Sequence, residues 1–443
     1  MVVGHPDLAE RRLDSRIARL RGPRLRTAAG VLATVGPRAR ARHPELPRVT
    51  DLSGLHVAVV SRIYLPEPAA ASFRLGALAR ALRDAGATTT VLTTAVPAEY
   101  STVLPGHDAI DVRRFPVLRD AMGYVRGYVQ YMSFDIPAMF RVLFRRHLDV
   151  VVVEPPPTTG FFMRIACAIR RVPYVYYAAD IWSDAVESTD APAAVARVVR
   201  VLERWAIRGA AEVVSASPEF TERMHELFGD ARITTIGNGV DTTSFGPSGA
   251  RKEIGAPYLL YAGTASEVHG AVIFMDAFAR VLESEPQARL VFVGQGAERD
   301  ELERRAGELP AGSVHFEPRL SSDEVSAWIR GARATLASVR PEGYHRAFPT
   351  KMYASAACGT RVVYAGSGPG RDFAGANGMG WAVDYEVDAV AAAMLEALRT
   401  DATDEQREGI ARWAVDTVSL GAVAARAVTV VGSVARRRER HPD

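Results

Sequence analysis

The stretch Phe348-Pro349-Thr350-Lys351-Met352-Tyr353, running on through small apolar residues to Cys358-Gly359, holds the most specific chemistry in the chain. Lys351 is one of two lysines; the rest of the 54 Lys and Arg side chains are arginines. The other lysine, Lys252, lies in a polar turn sequence. The pattern predicts a helix opening at Lys351 with a proline in or near its first turn, where the missing N–H costs nothing. The free N–H groups and dipole of such a turn favour an anion. An ammonium beside them is electrostatically unfavourable unless a phosphate fills the gap, and lysine is a compact point charge that reaches phosphate oxygens. The stretch therefore reads as phosphate-binding. The alternative is a surface lysine on an ordinary helix.

Two further runs end on carboxylates. Asp149–Val153 reads as a buried strand ending on Glu154, and Tyr174–Tyr177 as one leading to Asp180-Ile181-Trp182-Ser183-Asp184. Both place Glu154 and Asp180 on one rim, as candidates for polar work on a substrate or as helix caps. Asp180 and Asp184 have no evident third partner, so no metal is expected.

The elements needed to position these residues recur as apolar runs alternating with helical patterns, the grammar of parallel α/β sheets. Strands are predicted near 55–60, 88–93, 109–115, 149–153, 174–177, 212–216 and 233–236. After a polar linker at 246–257 the pattern restarts near 258–261, 289–293, 314–316, 334–338, 361–365 and 380–383. Two Rossmann-like domains facing a cleft follow, over 51–245 and 246–400, preceded by a basic arm (1–50) and followed by C-terminal helices and a basic tail (401–443). Ligands bind at the carboxyl ends of such strands, which puts the loop 61–71 on the functional rim. Residues 119–147 interleave Tyr124, Tyr128, Tyr131, Phe134, Phe140 and Phe144 with Arg126, Arg141, Arg145 and Arg146, and read as two amphipathic helices.

Composition narrows the class. With 443 residues, 48% apolar, the chain is long enough for two or three domains with real cores. A net charge of +3 does not point to nucleic acid, and no nucleic-acid partner is expected. Cys167 and Cys358 lack metal or CxxC spacing and read as buried thiols of a reducing, cytoplasmic compartment. No apolar run reaches transmembrane length.

In this order, the motifs resemble the retaining GT-B glycosyltransferases, family 4 in particular, over roughly residues 54–400. The resemblance rests on Tyr64-Leu65-Pro66-Glu67-Pro68-Ala69-Ala70-Ala71 with Phe73-Arg74-Leu75, on Pro173–Tyr176 leading to Asp180–Asp184, and on Asn238-Gly239-Val240-Asp241 with Phe245 and Pro247. In the second half it rests on Tyr261-Ala262-Gly263, Gly294-Gln295-Gly296 and Pro349-Thr350-Lys351-Met352-Tyr353 with Gly359. The nearest flavour is that of bacterial enzymes of surface-polysaccharide or glycoconjugate assembly.

The resemblance implies transfer of a sugar from a nucleotide-diphosphate sugar to a lipid-linked, cell-wall or small-molecule acceptor. It implies retained configuration, no cofactor and no metal. It assigns donor binding to Gly263, Thr264, His269, Gly294, Gly296, Arg319, Phe348, Pro349, Thr350, Lys351 and Tyr353. Glu67, Ala70, Arg74 and Trp182 fall on the acceptor side, and Lys351, Asp180 and Glu154 are the catalytic candidates. Thr264 and His269 stand where many members carry Arg and Lys, and Ala354 where many carry Glu; Glu342 is out of register. Replacement charge is sought in Arg340, Arg346 or Arg371. A GT-B epimerase and a catalytically silent GT-B binding protein are the alternatives. The basic arm, the aromatic and basic stretch and the Arg436–Arg440 tail suggest peripheral contact with the inner face of a membrane.

Overall fold

The computed structural model describes residues 50–440 apart from 68, 97–109, 121–122, 124, 126, 188–191, 342–346 and 377. The basic arm therefore lies outside the described residues up to 49, as do Pro68, Tyr124, Arg126, Glu342 and Arg346.

Runs of Val, Ile, Leu and Tyr form strands buried on both faces, as parallel sheets covered by helices require. The N-terminal sheet contains β1 (His56–Val60), β2 (Thr88–Thr94), β3 (Asp111–Phe115), β4 (Val150–Val153), β5 (Tyr174–Ala178), β6 (Glu212–Ser215) and β7 (Ile233–Thr235). Their order is β3-β2-β1-β4-β5-β6-β7, parallel throughout. The C-terminal sheet contains β8 (Tyr258–Ala262), β9 (Arg289–Val293), β10 (Val314–Glu317), β11 (Ala334–Ser338), β12 (Val362–Ala365) and β13 (Gly380–Val383). Its order is β10-β9-β8-β11-β12-β13, again parallel. Strand order reverses between β1 and β4 and between β8 and β11. Crevices open at the carboxyl ends of strands at such switch points.

On one face of the N-terminal sheet lie α2 (Tyr128–Leu143), α3 (Pro157–Arg170), α5 (Ala193–Gly209) and α6 (Pro218–Phe228), around Phe134, Met163, Ile207 and Phe228. Among the described residues, the region 119–147 thus yields one helix where two were expected. Pro137 is accommodated inside it. The short α4 (Trp182–Glu187) has its first N–H groups bound by the buried carboxylate of Glu203, at 2.8 Å to Trp182 N and 2.8 Å to Ser183 N. In the C-terminal half, α7 (Val272–Ser284), α8 (Arg299–Ala306) and α12 (Val387–Arg399) cover one face. The other elements there are α9 (Ser322–Gly331), α10 (Lys351–Ala357), α11 (Pro369–Gly375) and α13 (Asp404–Val418).

The last helix, α14 (Leu420–Arg440), does not stay with the C-terminal half. It crosses back to pack beside α1 (Ala70–Asp84), burying Val423, Ala427, Val431 and Val434 in the same core as Leu75, Leu78 and Val59. Residues 401–440 are thus shared between the halves, and the basic run Arg436–Arg440 is the end of this helix. Arg437 pairs with Glu212 at 2.8 Å, and Arg438 donates to the Leu148 carbonyl at 3.2 Å. The two chain crossings are tied together: Val240 N donates to Val418 O at 2.8 Å and Leu420 N to Val240 O at 2.9 Å.

A carboxylate at Val431, 1% exposed, would sit unpaired in this core. Val431→Asp is expected to destabilise the N-terminal half by on the order of 3 kcal/mol or more. Hydrogen exchange should rise in α1 and β1 while β8, β9 and β11 keep their protection. Equal loss in both sheets would contradict the assignment of α14 to the first half.

Candidate functional site

The second-half loops at the switch point are laced to one another by backbone bonds. Gly263 N donates to Val293 O at 2.8 Å, Ala265 N to Gln295 O at 2.9 Å, and Gly294 N to Glu317 O at 3.2 Å. Gly296 has φ of 152°, and a Cβ there would overlap the Ala265 carbonyl. Gly263 has φ of 130°, a conformation that favours glycine, and the position a Cβ would take lies in ordinary contact with Cε of Lys351 at 3.4 Å.

Lys351 opens α10, a helix of seven residues with Thr350 at its N-cap. Pro349 lies just outside it and accepts a bond from Met352 N at 2.9 Å, so the proline shapes the entry and is not part of the first turn. Lys351 is not a surface lysine. Its Nζ is buried without a hydrogen-bond partner and lies 3.7 Å from the centre of the Tyr261 ring. Burial pulls the ammonium down to about 7, with Glu298 acting in the opposite direction.

His269 and Glu298 are close enough to act on it electrostatically. Burial, reinforced by Lys351, pushes the His269 imidazole down to about 4, so it is neutral at pH 7. Its Nδ1 is 2.6 Å from the Ser266 hydroxyl; when serine donates, Nε2 carries the proton. Glu298 is buried, accepting from Ala271 N at 2.8 Å and Arg340 at 2.7 Å. Arg340 is thus committed to Glu298, and Arg371 is committed to Asp384 at 2.7 Å. Neither stands free to replace the charge absent at Thr264.

A cavity of about 620 Å³ lies over these loops. Gly263, Thr264, His269, Gly294, Arg319, Phe348, Pro349, Thr350 and Lys351 line it from the second half, and Ala70 and Arg74 from the first. Asn238, Gly239 and Asp241 line it from the first crossing. Gly296 and Tyr353 do not. Gly296 packs behind the Ala265 carbonyl, and Tyr353 stacks on Phe348 at 4.4 Å. Tyr353 faces a neighbouring cavity of about 510 Å³, shared with Asp180, Phe348 and Arg426.

Three first-half candidates lie away from both cavities. Glu154 is buried beneath Arg74, 3.5 Å from its guanidinium and 3.1 Å from the Ser61 hydroxyl. Burial raises its carboxyl above the usual range, with Arg74 and Arg62 opposing. It positions Arg74 and does not face the opening. Glu67 is buried against Arg119 at 3.0 Å, holding the loop after β1 to the loop after β3. Trp182 stands edge-on to Tyr131, and Arg62 lies 4.6 Å from the Tyr131 ring centre and 5.3 Å from that of Trp182. Asp184 binds Arg223 at 2.8 Å. Glu298, Arg62 and Arg426 were not anticipated. Glu298 had a weak signal, an acid two residues beyond Gly294-Gln295-Gly296; Arg426 had none, because α14 reaches the cleft from far along the chain.

Residues 69–239 match the family model described as "Glycosyl transferase 4-like domain" and residues 256–400 match "Glycosyl transferases group 1". The chain thus has the architecture of the GT-B glycosyltransferases, two parallel α/β domains around a cleft. More particularly, it joins a 4-like N-terminal domain to a group 1 C-terminal domain. It is 28% identical to a glycogen synthase of Mycobacterium tuberculosis over 254 residues, which are 56% of this chain and 60% of that protein. It is 28% identical to a D-inositol 3-phosphate glycosyltransferase of Thermomonospora curvata over 281 residues, 58% of this chain and 63% of that one. The chain therefore spans less than two thirds of the length of these relatives. Anabaena HepE, solved in complex with UDP-glucose, superposes with a TM-score of 0.58 at 18% identity over 86% of this chain and 100% of its own.

Glu298→Ala would leave Ala271 N and Arg340 without their acceptor. It is expected to cost about 1–3 kcal/mol in urea denaturation at pH 7, with Glu298→Gln recovering only part of that loss, because its amide keeps one acceptor oxygen and turns an NH2 donor toward the other donor. No loss in the alanine variant would show that Glu298 does not hold the loops.

Proposed function

We propose that the protein is a hexosyltransferase that moves a sugar from a nucleotide-diphosphate sugar, bound by the second half, to an acceptor bound by the first. The observation that carries this reading is the buried, unpartnered ammonium of Lys351 on the wall of a cavity between two glycosyltransferase-like domains. An unpaired charge in such a place is costly and calls for an anion. A diphosphate meets that need, and its charge grows as the sugar leaves, where a fixed cation is most effective. Arg319 and Arg74 add cations at the same cavity, and neutral His269 adds a hydrogen-bond donor through Nε2.

In the proposed reaction the sugar C1–O bond to the diphosphate breaks. The acceptor oxygen bonds C1 from the same face, and its proton passes to a departing phosphate oxygen, so configuration is retained. Exposed Asp180, in the adjoining cavity, is placed to orient an acceptor, and Glu154 acts through Arg74. No group of three or more metal-ligating side chains occurs among the described residues, and the proposed step uses none. The acceptor class extends to lipid-linked, cell-wall and small-molecule sugars.

Thermal unfolding with UDP, GDP, dTDP or ADP tests the donor site. One of them at 100 times its dissociation constant should add about 2.7 kcal/mol. Lys351→Met should abolish that shift while raising the midpoint of the free protein, because a buried unpaired charge is removed. If no nucleotide stabilises the wild type, or the variant keeps the full shift, the donor reading fails. A shift without turnover of any sugar nucleotide would favour a silent binding protein, and a product with no acceptor attached an epimerase.

A further inference from the structure

The layer formed by α2, α3 and α5 carries charge of one sign on its outer surface. α2 packs beside α3, and α3 beside α5, on a single face of the N-terminal sheet. Their basic residues are all arginines, among them Arg141, Arg164, Arg197 and Arg204. Their carboxylates are two, Asp135 and Glu203, and both are buried: Asp135 accepts from Thr159 at 2.6 Å, and Glu203 caps α4. Acids resume beside it, with Asp184 on α4, which packs against α5 and is paired to Arg223, and with Glu219, Glu222 and Glu226 on α6. By contrast, α8 mixes Arg304 and Arg305 with Glu301 in direct ion pairs.

The same surface is apolar between its arginines. Ile136 and Phe140 on α2 and Phe144 at its C-cap follow one another at four-residue spacing, and Phe144 is 80% exposed. Ile169, near the end of α3, is 68% exposed, and on α5 Val198, Val201 and Trp205 form a second stripe, with Val201 61% exposed. Trp205 packs on Phe161 at 4.9 Å with Arg164 4.1 Å from its ring centre. A solvated face has no use for this many open side chains. A soluble acidic partner would satisfy the arginines but not a set of exposed aliphatic and aromatic tips spread over three helices. A lipid boundary satisfies both, with guanidinium groups at phosphate and apolar tips below them.

We propose that this three-helix face rests on an anionic bilayer, so that the protein works as a peripheral membrane protein docked through its first half. None of the described helices is long and apolar enough to cross a membrane. The surface is separate from Lys351, so this reading and the transfer reading stand or fall independently.

Co-sedimentation of the full chain with phosphatidylcholine vesicles, with and without phosphatidylglycerol, tests it. Partitioning should require phosphatidylglycerol and weaken as salt rises. The variant Arg197→Gln/Arg204→Gln should bind roughly fivefold less for each arginine removed. Phe140→Ser/Phe144→Ser should also bind more weakly, and Lys351→Met should bind as wild type. All these side chains except that of Lys351 are exposed, so the fold should persist, which circular dichroism checks. Absence of wild-type binding at low salt overturns the proposal. So does unchanged binding by both surface variants, which would move the contact to another part of the chain. Loss with the arginine pair but not with the phenylalanine pair would mark a polyanion site and not a bilayer face.

Discussion

A buried ammonium with no hydrogen-bond partner governs the second half of this molecule. Lys351 is held at the start of a short helix, against the face of Tyr261. Desolvation acts against its charge, and the field of Glu298 partly restores it. Glu298 is itself fixed by a backbone N–H and Arg340, so the loops after β8, β9 and β11 share one electrostatic arrangement. The free protein keeps this cation poorly solvated, and a dianionic ligand would remove the penalty. Stability is thereby traded for binding, as functional sites often require.

The cavity that uses this charge exists because the chain crosses twice between its halves. The crossings meet at Val240 and Ser419, joined by backbone bonds. Asn238 and Gly239, on the first crossing, and Leu420, on the second, line the same cavity as Lys351. α14 then fastens to α1 through a shared apolar core. Arg74, from α1, and Lys351, from α10, are consequently walls of one space although they belong to different sheets.

Much of this was legible in the sequence, for definite reasons. Doubly covered parallel strands read as unbroken apolar runs, so β4 and β9 announced themselves within a residue. The near absence of lysine made Lys351 conspicuous, and the order of glycine-rich turns marked the switch points. What was not legible depends on distance. Nothing local tells that Arg340 binds Glu298, that Glu67 is taken by Arg119, or that Val431 belongs with Leu75. An exposed stripe such as Ile136–Phe140–Phe144 looks, by period alone, like a core-facing one; only the buried set Phe134, Ala138 and Val142 shows which side faces the sheet.

The most direct measurement is calorimetric titration of the free protein at pH 8 with whichever of UDP, GDP, dTDP and ADP shifts its thermal unfolding, repeated in buffers of different ionisation enthalpy. In the free protein Lys351, held near 7, is mostly neutral at that pH. Unfolded, it would be protonated, so the free fold gains stability as pH rises from about 7 toward the ordinary lysine value. A diphosphate placed on Nζ restores the charge, so binding should take up about one proton per site. Lys351→Met should bind weakly and take up none. Tight binding without proton uptake, or the same uptake in the variant, would contradict the central role given to Lys351.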